Sequence, residues 1–285
     1  TISMKGKTII MDSRTEEILK RCSSIEAIKG LSDEEKELLR EQADKNDRMQ
    51  CNNDFLGSNR NVKFFTFNLP RKLACPGRTD ICARGCYQAI SEEMLKEKGR
   101  DSQVLYSRKL NWFLAEQDDF VERILKEIMR RKPKADQRII FRIHASGDFY
   151  SEEYLKKWMK IALITKLKNK NYDFVAYTKS YSEINNVLSN QAGLWKLYQE
   201  AYNAAKIAIP QEKELSLADF NLNIIASYMD DTEEEKKRIA EKWNLPVYFV
   251  TEDNSLELTD CEADPCSECL KCYTFPMENV VTRLR

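Results

Sequence analysis

The chain has 285 residues, of which 46 are basic and 46 acidic, so it carries no formal net charge. This balance excludes a chain that is strongly basic overall, as proteins that bind nucleic acid regardless of sequence are, so net charge does not indicate nucleic acid as a partner. A local basic patch stays an open alternative. No stretch near the amino terminus resembles a secretion signal, and no apolar run is long enough to cross a bilayer. We therefore expect a cytoplasmic protein with no membrane partner.

Residues 1–60 are predicted to form a helical accessory region. Helix is expected over residues 13–48, and Ser32 with Glu35 has the spacing of a capping box, in which each side chain accepts from the other residue's backbone N–H. The charged residues that follow predict a solvated helix face. A polar stretch that includes Asn52 and Gly57 marks the boundary to the next region.

Residues 61–251 alternate between predicted strands and helices. Apolar residues at helical spacing predict the helices, including one long amphipathic helix over residues 102–131. Alternation of this kind favours a parallel sheet, so the expected fold class is α/β, and five strands favour a partial (β/α) barrel over a closed one. The five predicted strands are Val62–Asn68, Arg138–His144, Tyr172–Thr178, Leu222–Tyr228 and Val247–Thr251.

Seven of the nine cysteines fall into two tight groups, which in a reducing compartment indicates metal ligation rather than disulfides. Cys22 and Cys51 stand alone and are expected to be ordinary reduced thiols. The first group, Cys75, Cys82 and Cys86, lies in a loop between the first predicted strand and a helix. Three ligands suggest a four-iron, four-sulfur (4Fe–4S) cluster with one iron open to another molecule.

Other interpretations of the first group stay open. The three residues are also compatible with buried apolar thiols, or with a zinc site that takes its fourth ligand from elsewhere in the chain. A fourth protein ligand such as Cys51 or His144 would close the site and remove its reactivity.

The second group lies in the segment 252–285, which we expect to be a cysteine-rich metal-binding region. Four sulfurs make a complete ligand set, which suits either a second 4Fe–4S cluster or a structural zinc ion. The members of this group are Cys261, Cys266, Cys269 and Cys272.

Polar residues follow several of the predicted strands. Ligands in α/β sheets bind at the carboxyl ends of the strands, and Ser146, Gly147 and Asp148 follow the second strand there. A glycine lets the backbone approach a ligand, and a carboxylate can accept from an ammonium group, although a plain helix-capping turn has the same sequence pattern. Weaker candidates at the ends of the third and fourth strands are Thr178, Lys179, Ser180 and Ser227.

His144, the only histidine in the chain, is predicted to share a strand face with Arg142. A lone strand histidine is usually a satisfied core residue. If that face lines the barrel, His144 is a candidate proton donor, and Arg142 is a candidate contact for a carboxylate or phosphate.

The order of strand, three-cysteine loop, helix and strand with a glycine and an acid resembles the radical S-adenosylmethionine enzymes. The resemblance implies a catalytic cluster on Cys75, Cys82 and Cys86, with S-adenosylmethionine on the open iron and its amino group near Gly147 and Asp148. It also implies a 5′-deoxyadenosyl radical and an external electron donor, and it likens the second cysteine group to an auxiliary cluster. Six and three residues separate the first three cysteines, where that family usually has three and two.

The chain also resembles the phage gene product 88-like family, between residues 64 and 177 and in the closing cysteine-rich stretch. This resemblance implies little about a reaction. The stretches that carry it are Cys75-Pro-Gly, Arg142-Ile-His-Ala-Ser-Gly-Asp-Phe-Tyr-Ser151 and Ala176-Tyr-Thr-Lys-Ser180.

Three hypotheses follow for the function. The first is an enzyme of the radical S-adenosylmethionine type with two 4Fe–4S clusters and an unknown substrate. The second is a non-radical lyase or sulfur-transfer enzyme that uses the same open iron. The third is a phage-type binding protein in which both metal sites are structural.

Overall fold

A computed structural model of the protein describes residues 11–51, 61–253, 255, 270, 272 and 279–283. Its centre is a seven-stranded sheet whose strands lie side by side in chain order. The first strand is antiparallel to the second, and the remaining strands are parallel. The strands are β1 (Gln50–Cys51), β2 (Val62–Phe67), β3 (Arg138–Ile143), β4 (Tyr172–Thr178), β5 (Leu222–Met229), β6 (Val247–Thr251) and β7 (Val280–Arg283).

Helices connect the parallel strands from β2 to β6. Within the described residues, no helix combines the length and the apolar character that crossing a membrane would require. The helices are α1 (Ser13–Arg21), α2 (Ile25–Lys29), α3 (Asp33–Asp44), α4 (Asp80–Arg84), α5 (Tyr87–Glu97), α6 (Asp101–Ala115), α7 (Phe120–Arg130), α8 (Glu152–Lys168), α9 (Tyr181–Ser189), α10 (Gln191–Ala205) and α11 (Glu234–Lys242), with a 3-10 turn at Leu217–Phe220.

The two faces of the sheet are buried in different ways. One face packs against the helices in a large core, where Phe141 and Phe174 stack with their ring centroids 4.9 Å apart. The other face forms a smaller apolar cluster, against which Leu270 and Cys272 of the carboxyl-terminal region pack. Members of the smaller cluster are Val62, Phe64, Ile140, Val175, Ile225 and Val280.

All five predicted strands are confirmed, as is the mixed α/β class with a mostly parallel sheet. Period-two alternation and strand-forming residues were sufficient to identify them. Two short edge strands, β1 and β7, were not predicted, because two and four residues are too few to carry a pattern.

The prediction of one long helix over residues 102–131 is wrong. The chain breaks between α6 and α7, and the ammonium of Lys157 on α8 donates to the carbonyls of Ala115 (2.8 Å) and Gln117 (3.2 Å). These contacts satisfy carbonyls that the interrupted helix leaves free, so the break is stable. Phe120 can then turn into the core, where it is fully buried.

The amino-terminal region is helical, but as three helices rather than one run over residues 13–48. The capping box at the start of α3 is confirmed: Glu35 N–H donates to Ser32 Oγ (3.2 Å) and Ser32 N–H to Glu35 Oε2 (3.0 Å). Leu19 of α1 and Leu39 of α3 belong to the same core as the sheet. The predicted boundary loop falls on residues 52–60, outside the described residues.

Candidate metal and ligand site

The first cysteine group lies at the carboxyl edge of the sheet, in the loop after β2. Thr79 caps α4 by accepting from the N–H of Cys82 (3.2 Å), and Cys86 immediately precedes α5. A Cβ on Gly77 would lie 2.7 Å from the carbonyl carbon of Lys179, so only glycine lets this loop rest on the end of β4. The loop is therefore held against the strand ends.

The three thiols of the loop lie within electrostatic reach of one another. Burial raises the pKa of Cys75 far above its usual range, and the charges of Asp148, Cys82 and Cys86 raise it further. Burial also raises the pKa of Cys82, where Lys179 acts in the opposite direction and Cys86 in the same. All three are half-buried and free of disulfides. The three thiols thus lie in one loop near one another, and their convergence on a metal stays a prediction.

The spacing of these thiols does not suit a single ion. Among the described residues, no three histidine, cysteine or acidic side chains lie close enough together to hold one metal ion. In a tetrahedral zinc site each sulfur is about 2.3 Å from the metal, which requires near contact between the sulfurs. Whether the loop binds a zinc ion or a metal cluster stays a prediction.

Of the second cysteine group, only Cys272 is described; Cys261, Cys266 and Cys269 lie outside the described residues. Cys272 packs on the smaller apolar cluster, and its carbonyl accepts from Asn223 Nδ2 (3.4 Å) near the start of β5. It therefore lies toward the amino ends of the strands, whereas the first group lies at their carboxyl ends.

The turn after β3 is joined to the end of β2. Asn68 Oδ1 accepts from the N–H groups of Ala145 (2.9 Å) and Ser146 (3.1 Å), and Ser146 Oγ donates to the carbonyl of Leu69 (2.9 Å). Ser146 is thereby committed to holding the turn rather than free to bind a ligand. Asn68 was missed in the sequence, where its only signal is its position directly after a strand.

Gly147 links this turn to the cysteine loop. Its φ of 92° lies in a region that favours glycine, and a Cβ there would lie 2.5 Å from Cβ of Leu69. A hydrogen bond from its backbone N–H acts to lower the pKa of Cys75. The close packing observed at Gly147 is thus against Leu69, and its approach to a ligand stays a prediction.

The carboxylate of Asp148 is buried and fully engaged. Its oxygens accept from Thr178 Oγ1 (2.6 Å), Lys179 N–H (2.8 Å) and Phe149 N–H (2.7 Å). Burial raises the pKa of Asp148 even though these hydrogen bonds oppose the shift. Asp148 and Thr178 together tie the end of β3 to the end of β4. Whether Asp148 also meets a ligand's ammonium group stays a prediction.

Ser227 on β5 and Asp231 just after β5 accept further hydrogen bonds at the carboxyl edge of the sheet. Lys179 Nζ donates to Ser227 Oγ (2.7 Å), which joins the end of β4 to β5. Asp231, just after β5, accepts from Ile81 N–H (3.0 Å) and so fixes the start of α4. Burial acts to raise the pKa of Asp231, but the hydrogen bonds from Ile81 and Thr79 hold it below its usual value. Asp231 was not singled out from the sequence, where an acid after a strand was its only signal.

The prediction that His144 and Arg142 share a face is wrong. His144 has a left-handed backbone (φ 63°), which ends the period-two alternation at Ile143. Its ring packs 4.9 Å from that of Phe149 in the aromatic core, whereas the Arg142 guanidinium lies 4.8 Å from the Tyr177 ring on the other face. Arg142 therefore lies on the face of the sheet that carries the smaller apolar cluster, and His144 does not.

His144 is unsuited to closing the first ligand set or to donating a proton at neutral pH. It is 3% exposed, Nε2 lies 2.9 Å from the Tyr154 hydroxyl, and burial lowers its pKa to about 3. Cys51, the other candidate for a fourth ligand, lies on β1 opposite Phe65 in the middle of β2, away from the carboxyl edge.

The buried imidazole predicts a loss of stability in mild acid. A histidine in an unfolded chain has a pKa near 6.5. Below that pH the unfolded state therefore binds a proton that the folded state does not bind. Between pH 6.5 and about 3, stability therefore falls by up to about 1.4 kcal/mol per pH unit. Asparagine tolerates a left-handed backbone, so the variant His144→Asn is expected to fold without this loss of stability in mild acid. Urea unfolding at pH 7.0 and 5.5 measures it; equal losses in both proteins would contradict the assignment.

Comparison with known proteins places the chain in a family. Residues 31–274 match the family model described as Gene product 88. The chain belongs to this family. It is 26% identical over 212 residues to the Gene 88 protein of Mycobacterium phage L5, an alignment that covers 70% of this chain and 77% of that protein.

A second relative is the Gene 88 protein of Mycobacterium phage D29, 32% identical over 96 residues, or 31% of this chain and 37% of that protein. No solved structure matches the chain. The predicted membership of the phage family is thereby confirmed, and the radical S-adenosylmethionine resemblance stays a hypothesis.

Proposed function

We propose that this protein is an iron–sulfur enzyme whose reactive 4Fe–4S cluster is held by Cys75, Cys82 and Cys86. The observation that carries the proposal is the position of these three free thiols in one loop at the carboxyl edge of a parallel sheet, where α/β proteins bind ligands. Three ligands leave one iron open, and an open iron can bind a substrate or cofactor.

The donor set supports a cluster. The three thiols are free and belong to one glycine-containing loop, and Cys75 receives a backbone N–H from Gly147, the kind of hydrogen bond that tunes cluster sulfurs. The three residues would supply thiolate ligands, while Asp231 fixes α4 and thereby the position of Cys82.

The finer fold proposal is a partial (β/α) barrel of the radical S-adenosylmethionine type. Strands β2 to β7 follow chain order and most helices pack on one face, which supports an incompletely closed barrel. In such an enzyme the cluster supplies one-electron chemistry, with the electron coming from an external donor. Arg142 lies on the face that carries the smaller apolar cluster, where it would contact an anionic ligand, and Thr178 and Ser227 lie at the carboxyl edge beside the loop.

The second cysteine group belongs to the proposal as an auxiliary site. Cys272, its one described member, lies toward the amino ends of the strands and thus apart from the first group. A 4Fe–4S cluster and zinc both suit four sulfurs, and metal content separates them.

A non-radical lyase or sulfur-transfer enzyme is the second candidate. The observation that favours it is the engagement of both Asp148 oxygens with the protein, because a carboxylate already so occupied is a poor partner for the ammonium group of S-adenosylmethionine. In this alternative the open iron acts as a Lewis acid or carries an additional sulfide.

The two candidates differ in one product. Protein loaded with iron and sulfide without oxygen is mixed with S-adenosylmethionine and dithionite, and 5′-deoxyadenosine is measured by chromatography. The radical candidate predicts its formation, and Cys51→Ala, which alters a thiol away from the loop, should form it equally well. A fully loaded protein that forms none would overturn the radical candidate and leave the lyase.

A further inference from the structure

Lys179 lies where the strand ends and the cysteine loop meet. Its backbone N–H donates to Asp148 Oδ2 (2.8 Å), and Gly77 packs directly on its backbone. Both contacts fix the main chain at this position. The lysine side chain therefore starts from a defined point beneath the loop.

The ammonium group of Lys179 is held by a hydroxyl rather than by an acid. Nζ donates to Ser227 Oγ (2.7 Å), and no ion pair to it occurs among the residues that the structure describes. It is close enough to favour negative charge on Cys82 and on Asp231. A half-buried cation that is anchored on a hydroxyl beside the cysteine loop, with the carboxylates of Asp148 and Asp231 also nearby, is suited to balance further negative charge that the loop acquires.

We propose that Lys179, positioned by Ser227, stabilises the reduced state of a cluster held by Cys75, Cys82 and Cys86 and so raises its reduction potential. The inference rests on the proposed function. Reduction adds one electron from an external donor and makes the cluster one unit more negative, without bond formation. A fixed positive charge nearby therefore favours the reduced form over the oxidised form.

The test is a redox titration of the first cluster in the full chain. The electron paramagnetic resonance signal of the reduced cluster monitors the titration. We expect Lys179→Met to shift the midpoint potential to more negative values and Lys179→Arg, which keeps the charge, to stay near the wild type. Lys170→Met is the matched control, because Lys170 is exposed at the opposite end of β4. It should leave the potential unchanged.

Ser227→Ala provides a second variant if Lys179→Met does not retain its cluster. It keeps the ammonium but removes its anchor, and we expect a smaller shift in the same direction. An unchanged potential in both variants, with iron and sulfide intact, would overturn this inference alone. A wild-type protein that holds no cluster would instead overturn the proposed function.

Discussion

Replacing Cys82 by alanine is expected to remove one complete cluster, about four irons per chain, because a cluster that keeps only two of three protein ligands is not retained. Cys82 lies on α4, whose start is fixed by Thr79 and Asp231, so the loss follows from the missing sulfur and not from an unfolded loop. Iron and acid-labile sulfide, measured on protein purified without oxygen, report the result.

Cys51→Ala is the matched control for this change. Cys51 is an exposed thiol on β1, away from the cysteine loop. It should retain full iron and sulfide. Equal metal content in the two variants would show that the first cysteine group binds no cluster.

Gly147→Ala is expected to destabilise the protein by roughly 2–4 kcal/mol. The added methyl group would overlap the side chain of Leu69, whose backbone also lies close, and the φ of 92° is unfavourable for any residue with a Cβ. The shift would also move the N–H that Cys75 receives, so iron content should fall together with stability. Urea unfolding and metal analysis of the same preparation measure both.

Gly99→Ala separates the cost of an unfavourable backbone φ from the cost of steric overlap by the added methyl group. Gly99 also has a positive φ (63°), but a Cβ there would meet nothing within 4 Å. We expect it to cost about 1 kcal/mol and to leave the iron content unchanged. If Gly147→Ala were no more harmful than Gly99→Ala, the close packing of the turn against Leu69 would be refuted.

Local pattern was enough to predict the strands and the position of the cysteine loop. The alternation in β3 and β4 and the capping box at Ser32 depend on neighbours in sequence, and the structure contains them as predicted. The cysteine loop and the Ser146 turn both follow strands of a parallel sheet, so both were expected at its carboxyl edge. These are consequences of short-range geometry and of parallel topology.

Contacts between distant residues explain what the sequence concealed. The break after Ala115 depends on Lys157, which lies on another helix, and the left-handed backbone of His144 reverses the side on which its ring packs. Neither leaves a periodic signal. The pairing of Lys179 with Ser227 likewise appears only when β4 and β5 are adjacent.

The central claim is tested most directly by the iron, acid-labile sulfide and zinc content of the wild-type chain, purified without oxygen. The proposed function predicts about eight irons with matching sulfide if both cysteine groups hold 4Fe–4S clusters, or about four with one zinc ion if the second group is structural. Zinc with almost no iron would contradict the proposed enzyme and favour a phage-family protein whose metal sites only stabilise its fold.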